Sequence, residues 1–190
     1  MKVNVGVSNR HVHLKQEDFN SLFGSDQKFE KLKDLSQPGE YASILKLNIK
    51  TDKDIIEEVR VIGPIRKYTQ VEISKTDAFK LGINPPIRNS GDVVASTGIT
   101  LIGPKGTVEL EEGCIIANRH IHINSEEAQK RGLVGKTKVR VNINGPKGGI
   151  LNNVMLKNSD NYIFELHIDT DDANAHLIKQ GDMVEIIEIE

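Results

Sequence analysis

The chain has no tryptophan, five phenylalanines, three tyrosines and a single cysteine, Cys114, among its 190 residues. One thiol cannot close an internal disulfide, so stability must come from packed cores, as suits a reducing compartment. Few rings mean few platforms on which bases could stack, and 25 basic against 27 acidic residues leave no cationic surplus to attract a phosphate backbone. Nucleic-acid binding is not expected. No apolar run approaches the roughly 20 residues that a spanning helix needs. The opening MKVNVGVSN alternates polar and apolar residues and does not place a charged segment before a hydrophobic block, so neither a membrane span nor a secretion signal is expected. A hydrophobic content of 37% suffices for the cores of one domain or two small ones.

What the chain does have is a motif that occurs twice. NRHVHL at Asn9 to Leu14 returns as NRHIHI at Asn118 to Ile123. On a strand alternate side chains share a face, so His11 and His13 project together, as do His120 and His122. The likeness continues downstream: QVEISKTDAFKLG (Gln70 to Gly82) matches ELHIDTDDANAHL (Glu165 to Leu177) when Asp77-Ala78 is set against Asp172-Ala173. That alignment places Glu72 opposite His167, two residue types that both serve as zinc ligands. Each repeat then offers three candidate ligands: His11, His13 and Glu72, then His120, His122 and His167. Three protein ligands with an open position is the composition of a catalytic zinc site, whereas a structural site is closed by four.

The local signals are for short strands and tight turns. VRVIGP (Val59 to Pro64), ITLIGPKG (Ile99 to Gly106), VRVNINGPKGG (Val139 to Gly149) and VEIIEI (Val184 to Ile189) read as strands, the first three running into Gly-Pro turns. Short helices are expected over Lys15 to Gly24, over Asn124 to Gly132 with Ser125 as the cap, near Asp77 to Leu81, and over Asp172 to Lys179 with Gly181 as the stop. The charged insertion Gly24 to Glu40, present in the first repeat alone, reads as an exposed loop with room for a short helix. Two facing β-units related by a pseudo-twofold would bring the two histidine pairs to one cleft. Arg10 and Arg119 should point away from the histidines into structural ion pairs. His176 reads as exposed, and GPKG and GPKGG read as hairpin turns because neither opens a helix with the GK[ST] ending.

The chain resembles the PduL-type phosphotransacylases, the phosphate propanoyltransferase family. The residues that carry the resemblance run from VGVSNRHVHL through GPIRKYTQVEISKTDAFKLG and PPIRNSGDVVAS to ANRHIHI and ELHIDTD. It implies a mainly β fold with short helices, built as two pseudo-symmetric six-stranded β-barrels. One barrel would comprise residues 1–9 with 118–190, the amino-terminal strand being exchanged, and the other residues 10–117. It also implies two zinc ions on the six ligands named above, a phosphate-binding arginine at Arg66, and reversible acyl transfer between coenzyme A and phosphate. Ser90, in RNSGD, is a second candidate phosphate contact, although a turn explains it equally well.

The chemistry makes matching demands. Phosphate attacking a thioester carbonyl generates a charged tetrahedral intermediate and a thiolate, which two cations and an arginine fork would stabilise in place. Cys114 lies in the apolar run CIIAN and no serine stands in a nucleophile elbow, so direct transfer is expected over an acyl-enzyme. Two other classes remain: a dinuclear zinc hydrolase of thioesters or phosphoesters, and a non-catalytic zinc-stabilised module. Relatives that enter bacterial microcompartments often carry an amphipathic amino-terminal extension. This chain starts almost at the first strand, so a cytoplasmic enzyme is expected; a homodimer is compatible with the sequence.

Overall fold

Apolar side chains at every second position give the computed structural model, which describes residues 1–189, its dominant element, the short strand. In chain order the elements are β1 (Lys2–Ser8), β2 (His11–His13), α1 (Gln16–Phe23), β3 (Lys31–Asp34), β4 (Tyr41–Lys50), β5 (Ile55–Gly63), β6 (Gln70–Glu72), α2 (Lys75–Leu81) and β7 (Ile87–Arg88). There follow β8 (Thr97–Ile102), β9 (Thr107–Ala117), β10 (His120–Ile123), α3 (Ser125–Lys130), β11 (Lys138–Ile143), β12 (Gly149–Asn158), β13 (Glu165–Asp169), α4 (Thr170–His176) and β14 (Met183–Ile189).

The chain divides into two units, and each closes a six-stranded barrel. One unit takes residues 1–9, 36–38 and those from 118 onward; the other takes residues 10–35 and 39–117. The first barrel runs β1, β13, β10, β12, β11, β14 and back to β1. The second runs β4, β5, β2, β6, β9, β8 and back to β4, with β3 beside β4 and β7 beside β9. The mainly β, twin-barrel class is therefore as the resemblance implied. Closure leaves no long unpaired edge in either ring.

The strand before each histidine motif belongs to the other motif's barrel. β1 leads straight into β2 yet pairs in parallel with β13, and β9 leads into β10 yet pairs in parallel with β6. Parallel neighbours cannot be joined by a tight turn, so a strand supplied from elsewhere in the chain fills the position without a long crossover. Inside the first barrel Val3, Val5, Ile121, Val141, Val154 and Leu166 form the core; inside the second, Val12, Leu47, Ile49, Val61, Val71 and Leu101 do so.

Each histidine strand is followed by a helix, and a second helix follows β6 or β13. At α2 the Ser74 hydroxyl accepts from the Asp77 backbone N–H while the Asp77 carboxylate accepts from the Ser74 N–H, a reciprocal cap. The same buried Asp77 accepts from Arg10 Nε at 2.9 Å. At α4 Asp169 caps through the Asp172 N–H at 2.9 Å, and Asp172 pairs with Arg119 Nε at 3.0 Å. The two motif arginines thus tie each histidine strand to the helix that follows its third candidate ligand.

Three local expectations are corrected. α3 is capped by Asn124, whose side chain accepts from the Glu127 N–H at 2.8 Å, and Ser125 is its first helical residue; the chain bends one residue earlier because Asn caps as well as Ser. α4 stops at Leu177 in the left-handed region (φ 56), well before Gly181, because burying Ile178 turns the chain inward with its N–H on Ala173 O. The insertion holds no helix: it forms the exposed strand β3 and then buries Gln37 in the first unit. Both GPK segments are hairpin turns, joining β8 to β9 and β11 to β12.

Replacing Asp77 with alanine removes one half of the reciprocal cap and one partner of the Arg10 guanidinium. The expected cost is about 1–3 kcal/mol, read as a lower urea midpoint. An unchanged midpoint would contradict this role.

Candidate metal centres

Both histidine strands use the period of two in the same way. Val12 and Ile121 are fully buried and face the barrel cores, which sends the flanking histidines to the opposite side of the strand. β2 runs antiparallel to β6 with His11 opposite Glu72 and His13 opposite Gln70. β10 runs antiparallel to β13 with His120 opposite His167 and His122 opposite Glu165. The register is identical in the two repeats, and it brings together the two triads read from the sequence. His11, His13 and Glu72 form one group and His120, His122 and His167 the other, with the ligand atoms of each within 4.8 Å of one another.

In the first group His11 Nε2 lies 3.6 Å from Glu72 Oε2, and the His11 and His13 rings meet edge to face at 5.0 Å. His13 Nδ1 is buried without a hydrogen-bond partner. Burial first, then the neighbouring His11 and Arg66, holds the His13 pKa well below its ordinary value. In the second group His120 Nδ1 faces Asn118 O at 2.8 Å, so that nitrogen carries the proton and Nε2 carries the lone pair. His120 Nε2 is 3.1 Å from His122 Nε2, His122 stacks on Tyr162 at 4.2 Å, and His122 Nδ1 has no partner. Burial lowers His120 well below its ordinary value and His122 to about 3, with His167 and Lys157 adding to the His122 shift.

A metal ion fits both groups. Three of the five imidazoles are held neutral, as a ligand must be, and two present buried nitrogens that the protein leaves unpaired. Imidazole and carboxylate without thiolate suit zinc or a neighbouring divalent ion.

Beside the first group Arg66 follows Gly63, where a Cβ would overlap the rings of Tyr41 and Phe29. Its Nη1 donates to Ser90 Oγ at 3.3 Å and its Nη2 to Glu40 Oε1 at 2.7 Å. Ser90 Oγ also accepts from Gln70 Nε2 at 2.9 Å, so two donors occupy its lone pairs and its own proton is left to give. His176 stands apart from both groups, with Nδ1 against Lys147 O at 3.0 Å. Sequence reasoning passed over Gln70, Glu165, Glu40 and Tyr162. For Gln70 and Glu165 the signal was present, since each stands two positions before a candidate ligand on the same face of its strand. Burial alone would raise the Glu165 carboxyl, but hydrogen bonds from His167, Ser36 and Gln37 outweigh it and hold the pKa below the usual value.

Comparison with known proteins points one way. A family model described as Phosphate propanoyltransferase matches residues 4–179. A phosphate propanoyltransferase of Thermotoga maritima is 47% identical over 97% of this chain and 88% of its own length. Relatives of the same name from Rhodobacter capsulatus and Listeria monocytogenes are 44% and 43% identical, each over 97% of this chain and over 86% and 87% of their own lengths.

The depressed histidines fix a pH response for metal-free protein. Their folded pKa values lie below the unfolded value near 6.5, so the unfolded chain binds more protons in between. Their contribution to stability is full above pH 6.5 and falls away as pH drops from 6.5 toward about 3, the value for His122. Urea midpoints of chelated protein should decline across that window, and those of His122→Ala should decline less. Parallel profiles would contradict the assignment.

Proposed function

Because the chain belongs to the phosphate propanoyltransferase family, and is thus an acyltransferase, we propose that it transfers a short acyl group, propanoyl or acetyl, reversibly between coenzyme A and inorganic phosphate, with two zinc ions as cofactor. The observation that carries the metal part of this reading is the matched pair of three-ligand groups with unpartnered buried imidazole nitrogens. His11, His13 and Glu72 would hold one ion, and His120, His122 and His167 the other. When bound, zinc supplies positive charge for the developing oxyanion, the departing thiolate and the phosphate oxygens.

The chain's own residues account for the remaining requirements. Arg66 offers a planar fork to two phosphate oxygens, with Glu40 as the carboxylate that phosphate must displace or share. Ser90 can donate its free proton to a further oxygen of the same anion. A phosphate oxygen so oriented forms the new bond to the thioester carbon, and the C–S bond breaks as the tetrahedral intermediate collapses. No acyl-enzyme is needed. Cys114 is fully buried in β9, and burial pushes its thiol up to about 12, far from a usable thiolate.

Thiol release from acetyl-CoA and propanoyl-CoA, with and without phosphate, tests the reading. Metal-replete protein should release thiol only with phosphate and yield acyl phosphate, while His13→Ala and His122→Ala should each lose one ion and turnover. Arg66→Ala should lower kcat/KM for phosphate by about a hundredfold. Release indifferent to phosphate would make the protein a hydrolase, and a trapped acyl-protein would overturn direct transfer.

A further inference from the structure

Each candidate centre has a buried polar side chain two residues before its third ligand, and the two have opposite hydrogen-bonding polarity. In β6 Gln70 is fully buried. The Gly91 N–H donates to its Oε1 at 2.7 Å, which fixes the amide: Nε2 must face the other way, and it donates to Glu72 Oε1 at 2.6 Å. In β13 the corresponding residue is Glu165, 7% exposed, whose Oε2 lies 2.6 Å from His167 Nε2. The same oxygen accepts from the Ser36 hydroxyl and lies 3.4 Å from Gln37 Nε2. Gln37 is itself held at two points, its Nε2 donating to Ile163 O at 3.0 Å and its Oε1 accepting from the Ile163 N–H at 3.1 Å. Gly6 stands opposite His167 in register, and a Cβ there would sit 3.2 Å from both the ring and the Glu165 carboxyl carbon.

We propose that Gln70 and Glu165 are positioning residues, each orienting the third ligand of its metal centre through a hydrogen bond of matched polarity. The inference rests on the metal reading above and extends it to residues that touch no ion. An amide donor serves the carboxylate ligand Glu72; a carboxylate acceptor serves the imidazole ligand His167. With Glu72 Oε1 engaged, Oε2, the oxygen facing His11, is left for the ion. With His167 Nε2 engaged, Nδ1 is left. The pairing explains why each repeat has one carboxylate across these two positions, at the ligand in the first and at its partner in the second. The insertion residues Ser36 and Gln37 serve the second centre by keeping Glu165 an acceptor.

Partners of this kind change metal affinity by about 10–100-fold. Competition against a chromophoric chelator, starting from protein loaded with two zinc ions, should show Glu165→Gln releasing one ion at least tenfold more readily while the other holds at wild-type affinity. Gln70→Met should weaken the other ion instead. Nitrogen-15 NMR of zinc-loaded wild type reads the same inference without a variant: His167 should coordinate through Nδ1 and keep a proton on Nε2. Coordination through Nε2, or wild-type affinities in both variants, would overturn the inference while leaving the metal reading intact. Wild-type protein that binds no zinc would overturn both.

Discussion

The antiparallel register between each histidine strand and its partner is the constraint on which the sites depend. A strand's side chains alternate, so a slip of one residue would turn both histidines into the barrel and expel Val12 or Ile121 from it. The apolar residue between the histidines therefore fixes the candidate ligands without touching them. Its burial favours one register, and that register sets the first histidine of each pair opposite the third member of its triad, Glu72 or His167. The second histidine then stands opposite Gln70 or Glu165. The ion pairs of Arg10 with Asp77 and of Arg119 with Asp172 fasten the entry to each strand at a helix cap.

Duplication has preserved this frame and changed its chemistry. The first candidate centre has a carboxylate in its triad and an amide beside it; the second has three imidazoles and a carboxylate beside them. The charge of one carboxylate is kept in both, but it lies within the triad in one case and one hydrogen bond away from it in the other. A carboxylate ligand neutralises an ion more than an imidazole does, so an ion held by His120, His122 and His167 would be the stronger Lewis acid of the two. Arg66, whose charge is felt at His13, adds a cation beside the triad that contains the carboxylate.

Much of this was legible in the sequence because it is written in short periods. The HxH pairs, the i−2 positions before Glu72 and His167, the helix-starting Asp-Ala segments and the alternating strands all express geometry within a few residues. What was not legible came from contacts distant in sequence. Nothing local says that Ser36 and Gln37 meet Glu165, more than 120 residues away, or that Glu40 takes one arm of Arg66. The insertion is polar and reads as a solvated loop, yet Gln37 can be buried because Ile163 satisfies both ends of its amide. Helix ends failed for a related reason, since the burial of Ile178, not the nearest glycine, decides where α4 stops.

Two ions in two equivalent frames are the central proposal. Anomalous diffraction at the zinc edge from crystals grown with the metal tests it most directly. Two peaks are predicted, one within coordination distance of His11, His13 and Glu72 and the other of His120, His122 and His167. A single peak, or zinc held by other residues, would contradict it.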